Sequence, residues 1–178
     1  ANVDYYVPDR AGEGYGMSIS AVEALKERGT SLIITVDNGI SAIEEIRKAK
    51  ELSIDVVVTD HHQCGEVLPC AVAVVDPHRK DCEMDFREWA GVGVAFKLVS
   101  ALADCDVYDL LEAYGDILAI GTIADIVALK GENRILVRAG LAVLNEALIN
   151  GTLRKGLRTD FNISCFTTLA SFTISNVA

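Results

Sequence analysis

The chain has 178 residues, 51% of them hydrophobic, and a formal net charge of −10. That length and apolar content predict a folded domain with a core of its own and exclude a disordered segment. The acidic balance does not advertise a basic face of the kind that grips phosphate backbones, so either another domain does the gripping or the carboxylates gather around cations. No apolar run approaches the roughly 18–20 residues of a membrane-spanning helix. The N-terminus, ANVDYYVPDR, has no signal-peptide character, and its lack of an initiator Met predicts an internal start. Five cysteines without a CxxC pair predict free thiols in a reducing cytoplasm rather than a disulfide framework. A zinc site built on His78 and Cys82 is the alternative use of one of them.

In chain order, residues 3–7 read as a strand ending at Pro8, and residues 18–28 as a helix with Ile19, Val22 and Leu25 on one face and Ser18 or Ser20 as cap. SLIITV (31–36) is a strand stopping at Asp37. Residues 41–52 place Ile43, Ile46 and Ala49 inward and Glu44, Glu45, Arg47 and Lys48 outward, a helix with Ser41 as its expected cap. DVVVT (55–59) stops at Asp60 and AVAVV (71–75) at Asp76-Pro77. Such continuous β-branched runs suit parallel strands buried on both faces. Beyond Pro77 the pattern turns helical, over 89–102, 107–114, 116–124 and 135–148. The Thr/Ser-rich residues from Gly151 read as a linker or the edge of a further domain. The expectation is an α/β fold with a mainly parallel sheet, flanking helices and a helical second half, divided into 1–150 and 151–178.

Three apolar runs thus end on ligand-type side chains: Asp37, then Asp60-His61-His62, then Asp76. In an open parallel sheet the carboxyl edge of the strands is where ligands bind. A fourth carboxylate, Asp125, interrupts the apolar stretch GDILAIGTIADIVAL, where a charge is costly unless paired or on metal. Mixed carboxylate and imidazole ligation suits Mn²⁺, with Mg²⁺ as substitute. Two such ions can activate a water and clamp a phosphoryl group, so the residues alone point to metal-assisted phosphoester hydrolysis and to no particular substrate. Each residue also has a bland use. Asp37 can cap the following turn, Asp125 can be a surface or capping residue, His78 a loop residue, and Gly91 and Gly93 a tight helix start rather than a phosphate cradle.

Taken jointly, VVVTDHH (56–62), LIITVDNGI (32–40) and GTIADIVAL (121–129) resemble the motifs of the DHH family of phosphoesterases. Within it, YYVPDRAGEGYG (5–16), EWAGVGVAFK (88–97) and GENRILV (131–137) resemble the RecJ branch of single-strand-specific exonucleases, in family order across roughly residues 1–150. The resemblance implies that Asp37 bridges two Mn²⁺ ions and that His61 and Asp125 ligate one of them. It implies that His62 sits beside the scissile phosphate, that Asp60 orients an imidazole, that Arg10 holds a phosphate, and that Gly91 and Gly93 let the backbone approach the substrate. The implied activity is 5′-to-3′ hydrolysis of single-stranded DNA in repair and recombination, alongside repair-protein partners and without a membrane. The alternatives are a DHH enzyme acting on short oligonucleotides or cyclic dinucleotides, and a non-catalytic DHH scaffold. The family's first motif, a strand ending in Asp-x-Asp, and its DHH-associated C-terminal domain have no counterpart in this sequence. A poorly active or singly metallated chain is therefore expected.

Overall fold

The computed structural model describes residues 2–8, 16–103, 106–152 and 173–177. Arg10, Cys105, Cys165 and most of the 151–178 tail lie outside the described residues. The chain divides into two compact units, residues 1–85 with 171–178 and residues 86–170.

The first unit runs β1 (Asn2–Tyr6), α1 (Ile19–Glu27), β2 (Thr30–Val36), α2 (Ile43–Glu51), β3 (Asp55–Thr59), β4 (Ala73–Val75) and β5 (Thr173–Val177). Strands β2, β3 and β4 are parallel neighbours, with Val36 opposite Thr59 and Thr59 opposite Val75. Parallel pairing needs a crossover, and α2 provides the one between β2 and β3. Strand β5 lies antiparallel between β1 and β2, so the sheet order is β1-β5-β2-β3-β4. The three strands that carry the acidic ends are parallel, as expected. The departure is β5, which pairs within this sheet although its residues read as linker or further domain.

Helix α1 starts where the sequence suggests: Ser18 Oγ accepts the Ala21 N–H at 3.1 Å, which satisfies one of the first-turn donors. Helix α2 differs. Its N-cap is Ala42, without a side-chain cap bond, because the Gly39 carbonyl takes the Ala42 N–H at 3.1 Å and the Ser41 carbonyl takes the Ile43 N–H at 2.9 Å. Ser41 is left exposed. The inward faces of both helices meet the sheet in a core of Val22, Leu25, Ile33, Ile46, Ile54, Val56 and Val58. Each such side chain contributes about 1.5–3 kcal/mol by leaving water. The Lys48–Glu23 ion pair joining α1 to α2 lies at the surface, Lys48 partly exposed and Glu23 exposed, and adds little.

The second unit holds α3 (Gly91–Ala103), α4 (Val107–Ala124) and α5 (Gly131–Ile149). The two helices expected over 107–114 and 116–124 are one. Gly115 does not break α4, because its bare Cα faces Gly140: a Cβ there would sit 3.2 Å from the Gly140 Cα. Tight helix–helix approach thus overrides glycine's weak helix propensity. Asp106 caps α4 by accepting the Tyr108 N–H at 2.8 Å. Asp125 is the C-cap residue of α4, not a residue inside it. Gly91 and Gly93 lie in the first turn of α3, and a Cβ on Gly93 would come within 2.8 Å of the Trp89 ring.

Candidate metal centre

Because β2, β3 and β4 are parallel and in register, Asp37, Asp60 and Asp76 follow them as a row along one sheet edge. The Asp37 N–H bonds the Thr59 carbonyl and the Asp60 N–H bonds the Val75 carbonyl, each at 3.0 Å. All three aspartates are buried. They do different things.

Asp60 organises the edge. Its Oδ2 accepts the Ile40 N–H at 2.9 Å, and its Oδ1 accepts the His61 N–H at 2.8 Å and lies 2.6 Å from His62 Nδ1. One carboxylate therefore joins the turn after β2 to the loop after β3 and orients the imidazole of His62. The turn after β2 has its own requirement. Asp37 sits at φ 60 and Gly39 at φ 108; Asp tolerates the left-handed region, and Gly is needed for the second. A Cβ on Gly39 would also meet Thr35 Oγ1 at 2.8 Å.

This geometry brings Asp37 and the two histidines together. His61 Nε2 lies 2.9 Å from Asp37 Oδ1, and the two imidazole rings are 4.5 Å apart, tilted by 59°. One ligand atom from each of Asp37, His61 and His62 falls within 4.8 Å of the others. Among the described residues no other His/Cys/Asp/Glu group of three or more does so. An oxygen and two imidazole nitrogens at that separation fit a divalent first-row ion. Beside them opens a cleft of about 280 Å³ whose walls include Met17, Asn38, Ser41, Glu45, Asp60 and His62; none of the described residues lining it is a lysine or an arginine.

The remaining candidates lie elsewhere. Asp76 Oδ1 accepts the His78 N–H at 2.7 Å, closing a turn, and His78 in that turn is partly exposed. Burial is the main reason the Asp76 carboxyl is held above its ordinary range, with the Asp60 charge adding to it. An acid whose folded pKa is raised loses stability as pH climbs from its unfolded value, 3.8, through the folded one. Asp76→Asn keeps the turn acceptor and removes that charge, so it should raise the melting temperature at pH 8 by a few degrees, a shift of about 1 kcal/mol. At pH 4 the gain should be much smaller. Melting curves at both pH values check this, and an equal gain at both would sink the explanation. Burial also pushes the Cys64 thiol up to about 11, with Asp76 contributing. A thiol protonated at neutral pH is neither nucleophile nor ready ligand. The zinc alternative on His78 and Cys82 finds no group of ligands around it among the described residues. Asp125, Gly91 and Gly93 belong to the second unit.

A family model for the N-terminal domain of the DHH family matches residues 1–122. The chain belongs to the DHH family. Its Asp60-His61-His62 is the tripeptide of that name, at the end of β3. RecJ of Bacillus subtilis, a single-stranded-DNA-specific exonuclease, is 48% identical over 164 residues, covering 92% of this chain and 20% of that protein. RecJ of Escherichia coli is 39% identical, covering 89% of this chain and 29% of its own length. A crystal structure of RecJ bound to manganese superposes with a TM-score of 0.66 at 36% identity, covering 89% of this chain and 43% of the other. RecJ of Thermus thermophilus in complex with Mn²⁺ follows at 0.58 and 32%, over 86% of this chain and 24% of the other. The DHH chain thus spans between 20% and 43% of these relatives. No described helix is long and apolar enough to cross a membrane.

Proposed function

We propose that this DHH domain is the metal-binding part of a RecJ-type exonuclease that hydrolyses phosphodiester bonds in single-stranded DNA from the 5′ end, using Mn²⁺. The observation that carries the reading is the convergence of Asp37, His61 and His62 at the carboxyl edge of three parallel strands. The DHH relatives of up to 48% identity that act on single-stranded DNA support it. Asp37 and His61 would hold Mn²⁺, and the Asp125 carboxylate, in the family's acidic motif, would be a further ligand, while His62 would stand beside the scissile phosphate. When bound, the ion polarises a phosphoryl oxygen and lowers the pKa of a water.

The chain's own residues do the rest. His62 has the more exposed of the two imidazoles, 47% against 12% for His61, so it is the one able to meet a phosphate arriving from solvent. Asp60 fixes it by one ring nitrogen and leaves the other to face outward. Among the described residues no lysine or arginine lines the cleft, so bound cations would supply much of the positive charge that a phosphodiester meets there. That reconciles a net charge of −10 with an anionic substrate. Arg10 as a phosphate contact, and Gly91 and Gly93 as points of close backbone approach, complete the proposal.

The test combines binding with turnover. Calorimetric titration with Mn²⁺ should show uptake, and 5′-labelled single-stranded DNA should be degraded faster than the same sequence as duplex. Equal rates on both, or preference for a dinucleotide over the long strand, would move the assignment to another DHH activity. Mn²⁺ uptake without any turnover would support the scaffold reading.

A further inference from the structure

The segment Gly131-Glu132-Asn133 has no task in the reading above, yet its residues are spent on contacts across the second unit. Gly131 leaves room for Phe86, whose ring a Cβ would meet at 2.7 Å. Glu132 pairs with Lys97 at 2.8 Å, and that ammonium lies 4.6 Å over the Trp89 ring. Asn133 is 1% exposed. Its Nδ2 donates to two carbonyl oxygens far apart in sequence, Glu88 at 2.5 Å and Ala128 at 3.1 Å. Both amide hydrogens are used.

Ala128 belongs to the turn that leaves α4 directly after Asp125. That turn is strained: Ile126, a β-branched residue, sits at φ 58, where it costs on the order of 1–3 kcal/mol. Ile126 is 90% exposed, so its own side chain does not hold it there. A conformation of this kind persists only when its surroundings impose it. The buried side chain that grips the turn is Asn133.

We propose that Asn133 is a positioning residue for Asp125: by holding the Ala128 and Glu88 carbonyls together it imposes the left-handed turn at Ile126 and so fixes where the Asp125 carboxylate is presented. The inference rests on the reading of Asp125 as a metal ligand. It predicts that Asn133 acts on metal binding only through Asp125, which a residue that merely supports the fold would not do.

The experiment is a double-mutant cycle on Mn²⁺ affinity, measured by calorimetry at a temperature where circular dichroism shows every variant folded. Asn133→Ala should weaken Mn²⁺ binding by about 10-fold, the lower end of what loss of a ligand's supporting partner costs. Asp125→Ala should weaken it more. The double variant should bind no more weakly than Asp125→Ala alone. Asn133→Ser, which keeps one donor, should fall between Asn133→Ala and the unaltered chain. Without metal, Asn133→Ala should speed amide hydrogen exchange at 126–130 and leave β2 and β3 unchanged. Unaltered Mn²⁺ affinity in Asn133→Ala, full additivity with Asp125→Ala, or unchanged exchange at 126–130 would each overturn the proposal. If Asp125→Ala itself binds Mn²⁺ normally, the ligand reading of Asp125 fails, and the positioning role with it. If the unaltered chain takes up no Mn²⁺, the proposed function fails, while the exchange measurement still decides whether Asn133 holds the turn.

Discussion

Asp37→Asn is expected to weaken Mn²⁺ binding by at least on the order of 100-fold, beyond the roughly 10–100-fold typical when only a ligand's supporting partner is changed. Asn is the informative replacement. It keeps the shape of the side chain and accepts the φ of 60 that this position requires, so the backbone of the turn after β2 is preserved. What it removes is the negative charge that stands 2.9 Å from His61 Nε2. A neutral amide oxygen is a poorer partner for a hard divalent ion than a carboxylate. Binding should also weaken as pH falls, because imidazole ligates only when deprotonated and protons compete for it. Calorimetric titration of the variant, with a urea unfolding curve to show that stability has not collapsed, tests this. An affinity equal to that of the unaltered chain would place the ion away from Asp37.

Gly140→Ala is expected to give the largest loss of stability of any Gly→Ala change among the described residues, about 3 kcal/mol or more. Helices α4 and α5 approach through Gly115 and Gly140. A Cβ on Gly140 would fall inside the contact distance of the Gly115 carbonyl oxygen and 2.7 Å from the Ala119 Cβ. Neither neighbour can rotate away: one is backbone, the other has no rotamer. The helices must move apart, and protein interiors transmit such strain rather than absorb it. The normal preference of Ala over Gly within a helix, about 1 kcal/mol, works the other way and is overwhelmed. Urea unfolding reads the result as a lowered midpoint, and a cost below about 1 kcal/mol would mean that the two helices are not packed this closely.

Much of the first unit was legible without coordinates. SLIITV and DVVVT are strands because β-branched residues fit a pleated, buried surface, and each is stopped by an aspartate at its end. Ser18 signalled a helix start because a short hydroxyl side chain satisfies a free backbone donor locally. Asp37, Asp60, His61 and His62 could be placed together at the strand ends for the same reason: the carboxyl edge of a parallel sheet follows from the order of strands and helices alone. These are short-range properties, written within a few residues.

What the sequence did not determine depends on contacts between distant segments. Ser41 looked like the cap of α2, but the backbone turn around Gly39 satisfies those donors and leaves Ser41 outside. Gly115 looked like a break, and only the presence of Gly140 opposite makes it part of a continuous helix. Asp76 reads like its two neighbours in sequence, yet a turn to His78 engages it and burial raises its pKa. Asn133 carries no local signal, since its bonds reach to Glu88, 45 residues away, and to Ala128. Periodicity and capping specify which elements form, because they depend on neighbouring residues. Which polar groups end up paired, strained or convergent is decided by packing, because a buried hydrogen-bonding group takes its partner from whatever the fold brings beside it.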